Sequence, residues 1–70
     1  MSDQTLTLSP GTYDKLGVLH CGVPSEGLVT CAGEVREIAD GETLTMDRTG
    51  VKVSRSGSEY TFAREARAAA

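Results

Sequence analysis

From Leu16 onward the chain alternates short β-branched or apolar runs with glycine-bearing turns, the pattern of an antiparallel meander. The runs LGVLHCGV (16–23), LVTCAGEVREI (28–38), TLTM (43–46), VKVS (51–54) and YTFA (60–63) read as strands. Ahead of them, TLTL (5–8) alternates as an edge strand does. The turns set the expected registers. In PSEGL, a three-residue loop ending on Gly27 fits a type I turn followed by a left-handed residue, which pairs Pro24 with Leu28, Val23 with Val29 and Cys21 with Cys31. Leu19, Cys21, Val23, Val29 and Cys31 then share one face, and His20 points to the other.

Asp40-Gly41 is the strongest hairpin signal and joins EVREI to TLTM through a type I′ turn. With those two residues central, Val35 pairs with Met46, but Ile38 falls on the opposite face. The register therefore stays open between this turn and one a residue longer. Asp47 to Gly50 as a four-residue loop pairs Met46 with Val51 and Leu44 with Val53. Ser56-Gly57 as a two-residue loop pairs Val53 with Tyr60 and Val51 with Phe62. Both put Leu44, Met46, Val51, Val53, Tyr60 and Phe62 on one face, the agreement expected of correctly read turns.

Two segments carry helical signals. In SPGTYDKLG, Ser9 reads as an N-cap, Pro10 as the first helical residue and Leu8 as a staple on Tyr13, predicting one helical turn over about residues 10–16 that Gly17 ends. The tail AREARAAA favours helix by propensity, and residues 1–4 and 64–70 are expected to be peripheral. The expected fold is mainly all-β: five or six strands in an antiparallel meander that forms a barrel or a two-layer sandwich, because short sheets twist and curl to hide their edges.

Length adds one constraint. Seventy residues make a single domain with one small core, and at that size apolar burial and ordering entropy nearly cancel. Outside help is expected from a disulfide, a metal, a ligand or a neighbouring subunit. Two cysteines are too few for a disulfide-built secreted domain, the start MSDQTLTLSP carries an acid where a secretory signal carries positive charge, and no apolar run is long enough to span a bilayer. These features predict a cytoplasmic protein with reduced thiols. A zinc site needs several converging ligands, whereas this chain has one histidine, no CxxC, and neighbouring His20 and Cys21 on opposite faces, so no metal and no cofactor is expected. No nucleophile has a base beside it and no glycine-rich phosphate loop is present, so no enzyme activity is expected. Cys21 and Cys31 are the candidate redox pair, since direct cross-strand partners in a non-hydrogen-bonded position lie close enough to bond.

Charge supplies the last candidates. The net charge of −3 conceals an asymmetry: through Asp47, Lys15 and Arg36 face eight acids (net −6), and from Arg48 on five cations face Glu59 and Glu65 (net +3). Arg48, Lys52, Arg55, Arg64 and Arg67 are the candidate binding residues. Aromatic content of 4% is too low to build a base-stacking platform, which weighs against nucleic acid. The expected function is a non-catalytic protein–protein interaction or structural module that docks onto itself or a larger assembly, such as an accessory subunit, an inhibitor or a minor phage-particle component. The alternatives are a nucleic-acid-binding small barrel that uses the basic part, and a thiol switch. No small-molecule substrate and no membrane partner is expected.

Overall fold

The structure is a computed structural model that describes residues 4–64, and within them the chain forms two four-stranded antiparallel sheets. One, the terminal sheet, contains β1 (Gln4–Leu8), β6 (Thr43–Thr45), β7 (Lys52–Ser56) and β8 (Glu59–Arg64) in the order β1-β8-β7-β6. The other, the middle sheet, runs through β2 (Tyr13–Leu16), β3 (Leu19–Gly22), β4 (Leu28–Cys31) and β5 (Glu34–Glu37) in sequence order. The two sheets are not joined into a closed barrel, because β1 and β2, like β5 and β6, share no backbone pairing. The all-β expectation holds. The strand number rises to eight among the described residues because each of the two longest runs is a hairpin.

In LGVLHCGV the chain turns back at Gly17-Val18, so Leu16 pairs with Leu19 and the preceding YDKL becomes β2. In LVTCAGEVREI it turns at Ala32-Gly33, so Cys31 pairs with Glu34. The expected helical turn over 10–16 is absent. Pro10 and Gly11 are instead the central residues of a tight turn in which the Thr12 N–H donates to the Ser9 carbonyl at 3.1 Å, the Pro-Gly signature of a type II turn. The expected helical tail lies outside the described residues, apart from Ala63 and Arg64, which are the last two residues of β8.

Asp40-Gly41 makes a turn but no hairpin. The Glu42 N–H donates to the Ala39 carbonyl at 2.9 Å, and only Gly41 (φ 81°) has positive φ. A type I′ hairpin needs positive φ at both central residues; a single positive φ at the second position is type II, whose twist splays strands apart. The chain therefore leaves the middle sheet here and enters the terminal one. This resolves the position of Ile38: with no β5–β6 register to obey, it turns into the core and is buried. Both crossings between sheets, at Pro10-Gly11 and Asp40-Gly41, use this turn. At Ala32-Gly33, by contrast, both residues have positive φ (52° and 87°), as a type I′ hairpin requires.

Two expected registers are observed and one slips. Cys21 pairs with Cys31, and Leu44 with Val53. In the last hairpin Gly57-Ser58 is the loop, so Val53 pairs with Phe62 and Arg55 with Tyr60, two residues from the expected register. A slip of two preserves the face of every side chain, so the predicted inward set is unchanged. One core takes residues from both sheets: Leu16, Cys21, Val23, Val29 and Cys31 from the middle sheet and its loops, and Leu8, Met46, Val51, Val53, Tyr60 and Phe62 from the terminal sheet and its loops.

Ala32 is the one non-glycine residue with positive φ among the described residues, a conformation that crowds its Cβ against the backbone. Asparagine tolerates it better, and Asn-Gly is the favoured type I′ pair. Ala32→Asn is therefore expected to stabilise the fold by about 0.5–1 kcal/mol. Chemical denaturation measures this directly, and an unchanged or lower midpoint contradicts it.

Candidate functional site

The outer faces of the two sheets differ in chemistry. On the terminal sheet, the register places Thr7, Thr61, Ser54 and Thr43 in one cross-strand row and Thr5, Ala63, Lys52 and Thr45 in the next. That face is small hydroxyls with little charge. On the middle sheet, one row runs Tyr13, Gly22, Thr30, Val35 across all four strands. The Tyr13 ring lies over Gly22, in the space that a side chain there would need. This close approach, not backbone conformation, requires glycine at position 22. Beside the ring, Tyr13, Lys15, His20, Thr30 and Gly33 line an open groove of about 380 Å³. His20 is exposed on this face, away from the cysteines, as its strand position predicts.

The large exposed hydrophobic residues among those described are Tyr13 (64% exposed), Val18 (80%) and Val35 (57%). All belong to the middle sheet: Tyr13 and Val35 end one row on its outer face, and Val18 sits at the tip of the β2–β3 hairpin. Register puts Lys15 and His20 on one side of that row and Glu37 on the other. The sequence reading missed this surface because it took β2 for a helical turn and β4–β5 for one strand. Without those hairpins Tyr13 and Val35 have no common face.

Cys21 and Cys31 meet inside the core. They are paired across β3 and β4, 1% and 0% exposed, with their Sγ atoms 2.6 Å apart and no bond between them. Burial and the neighbouring Cys31 push the Cys21 thiol up to about 12. Among the described residues, no three of the histidine, cysteine, aspartate and glutamate side chains are grouped to hold a metal ion.

The basic candidates are dispersed. Lys52 lies on the outer face of the terminal sheet, Arg48 in the β6–β7 loop and Arg64 at the end of β8 opposite Gln4, and Arg67 lies outside the described residues. Arg55 is committed within the fold. Its guanidinium lies 5.4 Å from the Tyr60 ring centroid, donates to the carbonyls of Gly57 (2.9 Å) and Ile38 (3.1 Å), and is 3.9 Å from Glu26. Tyr60 also spans the sheets, its Oη accepting the Gly27 N–H at 2.7 Å.

Acidic and basic parts of the sequence meet again at the other end of β5. The Glu34 carboxylate accepts the N–H groups of Asp47 (3.1 Å) and Arg48 (2.9 Å) and pairs with Arg36, which also faces Asp47 at 3.5 Å. Arg55 with Tyr60 and Glu34 with the β6–β7 loop thus fasten the seam that backbone pairing leaves open. The Arg48 and Asp47 N–H groups and Arg36 hold the Glu34 carboxyl below its ordinary value of 4.5. A lowered folded-state pKa stabilises fully above the unfolded value, and the contribution is lost as pH falls through the folded one. Glu34→Gln is expected to lower the thermal midpoint by several degrees at pH 7 and to cost progressively less below about pH 4.5. Melting curves of both proteins from pH 7 to 3 test this, and a pH-independent difference is incompatible with it.

Among the described residues no helix is long and apolar enough to cross a membrane. No protein-family model, curated protein or solved structure matches this chain.

Proposed function

We propose that the protein is a non-catalytic interaction module that pairs with a second copy of itself through the outer face of the middle sheet. The observation that carries this reading is the segregation of exposed apolar side chains. Tyr13 and Val35 stand at the two ends of one row on that face, while the terminal sheet presents threonine and serine. A two-fold contact places one patch against its own copy, so it favours a surface that complements itself. This face has that character: a row with an apolar side chain at each end, Lys15 and His20 on one side of it and Glu37 on the other. Tyrosine is also enriched among the side chains that anchor protein interfaces. The small core supplies the motive, since a 70-residue chain gains in stability when it buries further apolar surface.

Sedimentation velocity across a hundredfold concentration range tests the reading. The expected result is a reversible monomer–dimer equilibrium, shifted at least tenfold toward monomer by Tyr13→Ser with Val35→Thr. Both positions are exposed, so the double variant should keep its circular dichroism spectrum. A monomer at every concentration overturns the proposal, as does a dimer indifferent to both substitutions.

A further inference from the structure

The hydrogen bonds flanking Cys21 and Cys31 define what kind of pair they form. The Ala32 N–H donates to the His20 carbonyl at 2.8 Å, so the flanking positions 20 and 32 carry the ladder bond. In an antiparallel ladder the positions alternate, which makes Cys21–Cys31 a non-hydrogen-bonded pair. Cα atoms in such pairs lie about 4.5 Å apart, at the short end of the range that a disulfide spans. The Sγ atoms already stand 2.6 Å apart, close to the S–S bond length of about 2.04 Å. Among the described residues no charged side chain is buried in the core and no third metal-ligating side chain is grouped with the two sulfurs.

We propose that Cys21 and Cys31 are a modification site, joined as a disulfide by exchange with a small-molecule disulfide of the glutathione type while the β3–β4 hairpin is open. In the open chain one cysteine thiolate attacks the glutathione disulfide, forming a mixed disulfide and releasing one glutathione thiolate. The second cysteine thiolate attacks the protein sulfur of that mixed disulfide and releases the other. One S–S bond forms and one breaks; the two protons lost by the cysteines end on two glutathione thiols, and the cysteines are oxidised by two electrons as glutathione disulfide is reduced by two.

Closure of the core then changes the reactivity of the pair. With both cysteines buried, neither an attacking thiolate nor a reductant reaches the sulfurs. The bond is therefore a staple set during folding, and it does not respond to redox change in the folded protein.

Both cysteines lie in one tryptic peptide, Leu16–Arg36, which contains no internal lysine or arginine. The protein is unfolded with reductant, transferred to a glutathione redox buffer to refold, and quenched with iodoacetamide in denaturant, so that any free thiol is alkylated. The expected peptide is two hydrogens lighter than the reduced form and carries no alkyl group. A doubly alkylated peptide after refolding overturns the bond. In a parallel arm, folded and reduced protein meets the same buffer without denaturant, and oxidation at least tenfold slower than in the unfolded chain is expected. Equal rates overturn the shielding. If refolding yields are low, the same peptide from protein produced in an oxidising compartment gives the reading, and two free thiols there have the same meaning.

Discussion

Tyr60→Ala removes a large share of the stability of this fold, and Tyr60→Phe shows how much of that belongs to one hydroxyl. Tyr60 is fully buried on β8 and reaches across to the β3–β4 loop, where its oxygen accepts the Gly27 N–H. Truncating a buried aromatic residue costs about 3–5 kcal/mol, and a chain of this length has roughly 4–10 kcal/mol in total. The ring is also the surface beneath the Arg55 guanidinium, so alanine loosens that clasp too. Phenylalanine keeps the ring and the cation contact but leaves the Gly27 N–H without its partner, at a cost of about 1–2 kcal/mol. Urea unfolding of the two variants should therefore give a graded loss. A Tyr60→Phe midpoint equal to that of the parent rules out the strut.

The second large effect follows from the proposed Cys21–Cys31 bond. Its span of 10 residues is short, and closing a loop of that size in the unfolded chain stabilises the fold by about 2.5–3 kcal/mol. For a domain this small that corresponds to a shift in melting midpoint of roughly 10–20 °C between oxidised and fully reduced protein. Because the folded core shields the sulfurs, the reduced sample has to be prepared by unfolding in reductant and refolding in its presence. Coincident melting curves for the two preparations exclude a stapling role.

The sequence was most legible where glycine position and apolar alternation agreed. Gly27 at the end of PSEGL sets the register that brings Cys21 opposite Cys31, and the four-residue loop before Val51 sets Leu44 against Val53. The last hairpin slipped by two residues, yet Tyr60 and Phe62 stayed in the core because parity was preserved. The misreadings share one cause. A glycine announces a turn, but whether a two-residue turn continues a sheet or leaves it depends on which central residue takes positive φ: the first (Gly17, Gly57) or both (Ala32-Gly33) make a hairpin, the second alone (Gly11, Gly41) a crossing. Asp40-Gly41 carries the composition of a hairpin and performs a crossing. Ala32-Gly33 lacks that composition, since alanine is disfavoured at positive φ, and performs a hairpin. Pro10-Gly11 begins a helix or a type II turn on equal local terms, and the hydrogen bonds of Gly11 and Thr12 with Val23 select the second. The apolar surface of the middle sheet went unseen for the same reason, because it exists only once these turns are placed.

The pairing of β1 with β8 carries a consequence for the order of assembly. Gln4 stands opposite Arg64, so the earliest described strand and the last lie side by side although nearly the whole chain separates them. The middle sheet, in contrast, is built of hairpins between immediate neighbours. Contacts across such sequence distances form late, because the intervening loop must be closed before they add anything. During synthesis on a ribosome the middle sheet can therefore assemble while the first strand waits, its threonine-rich edge unpaired, until the final strand emerges.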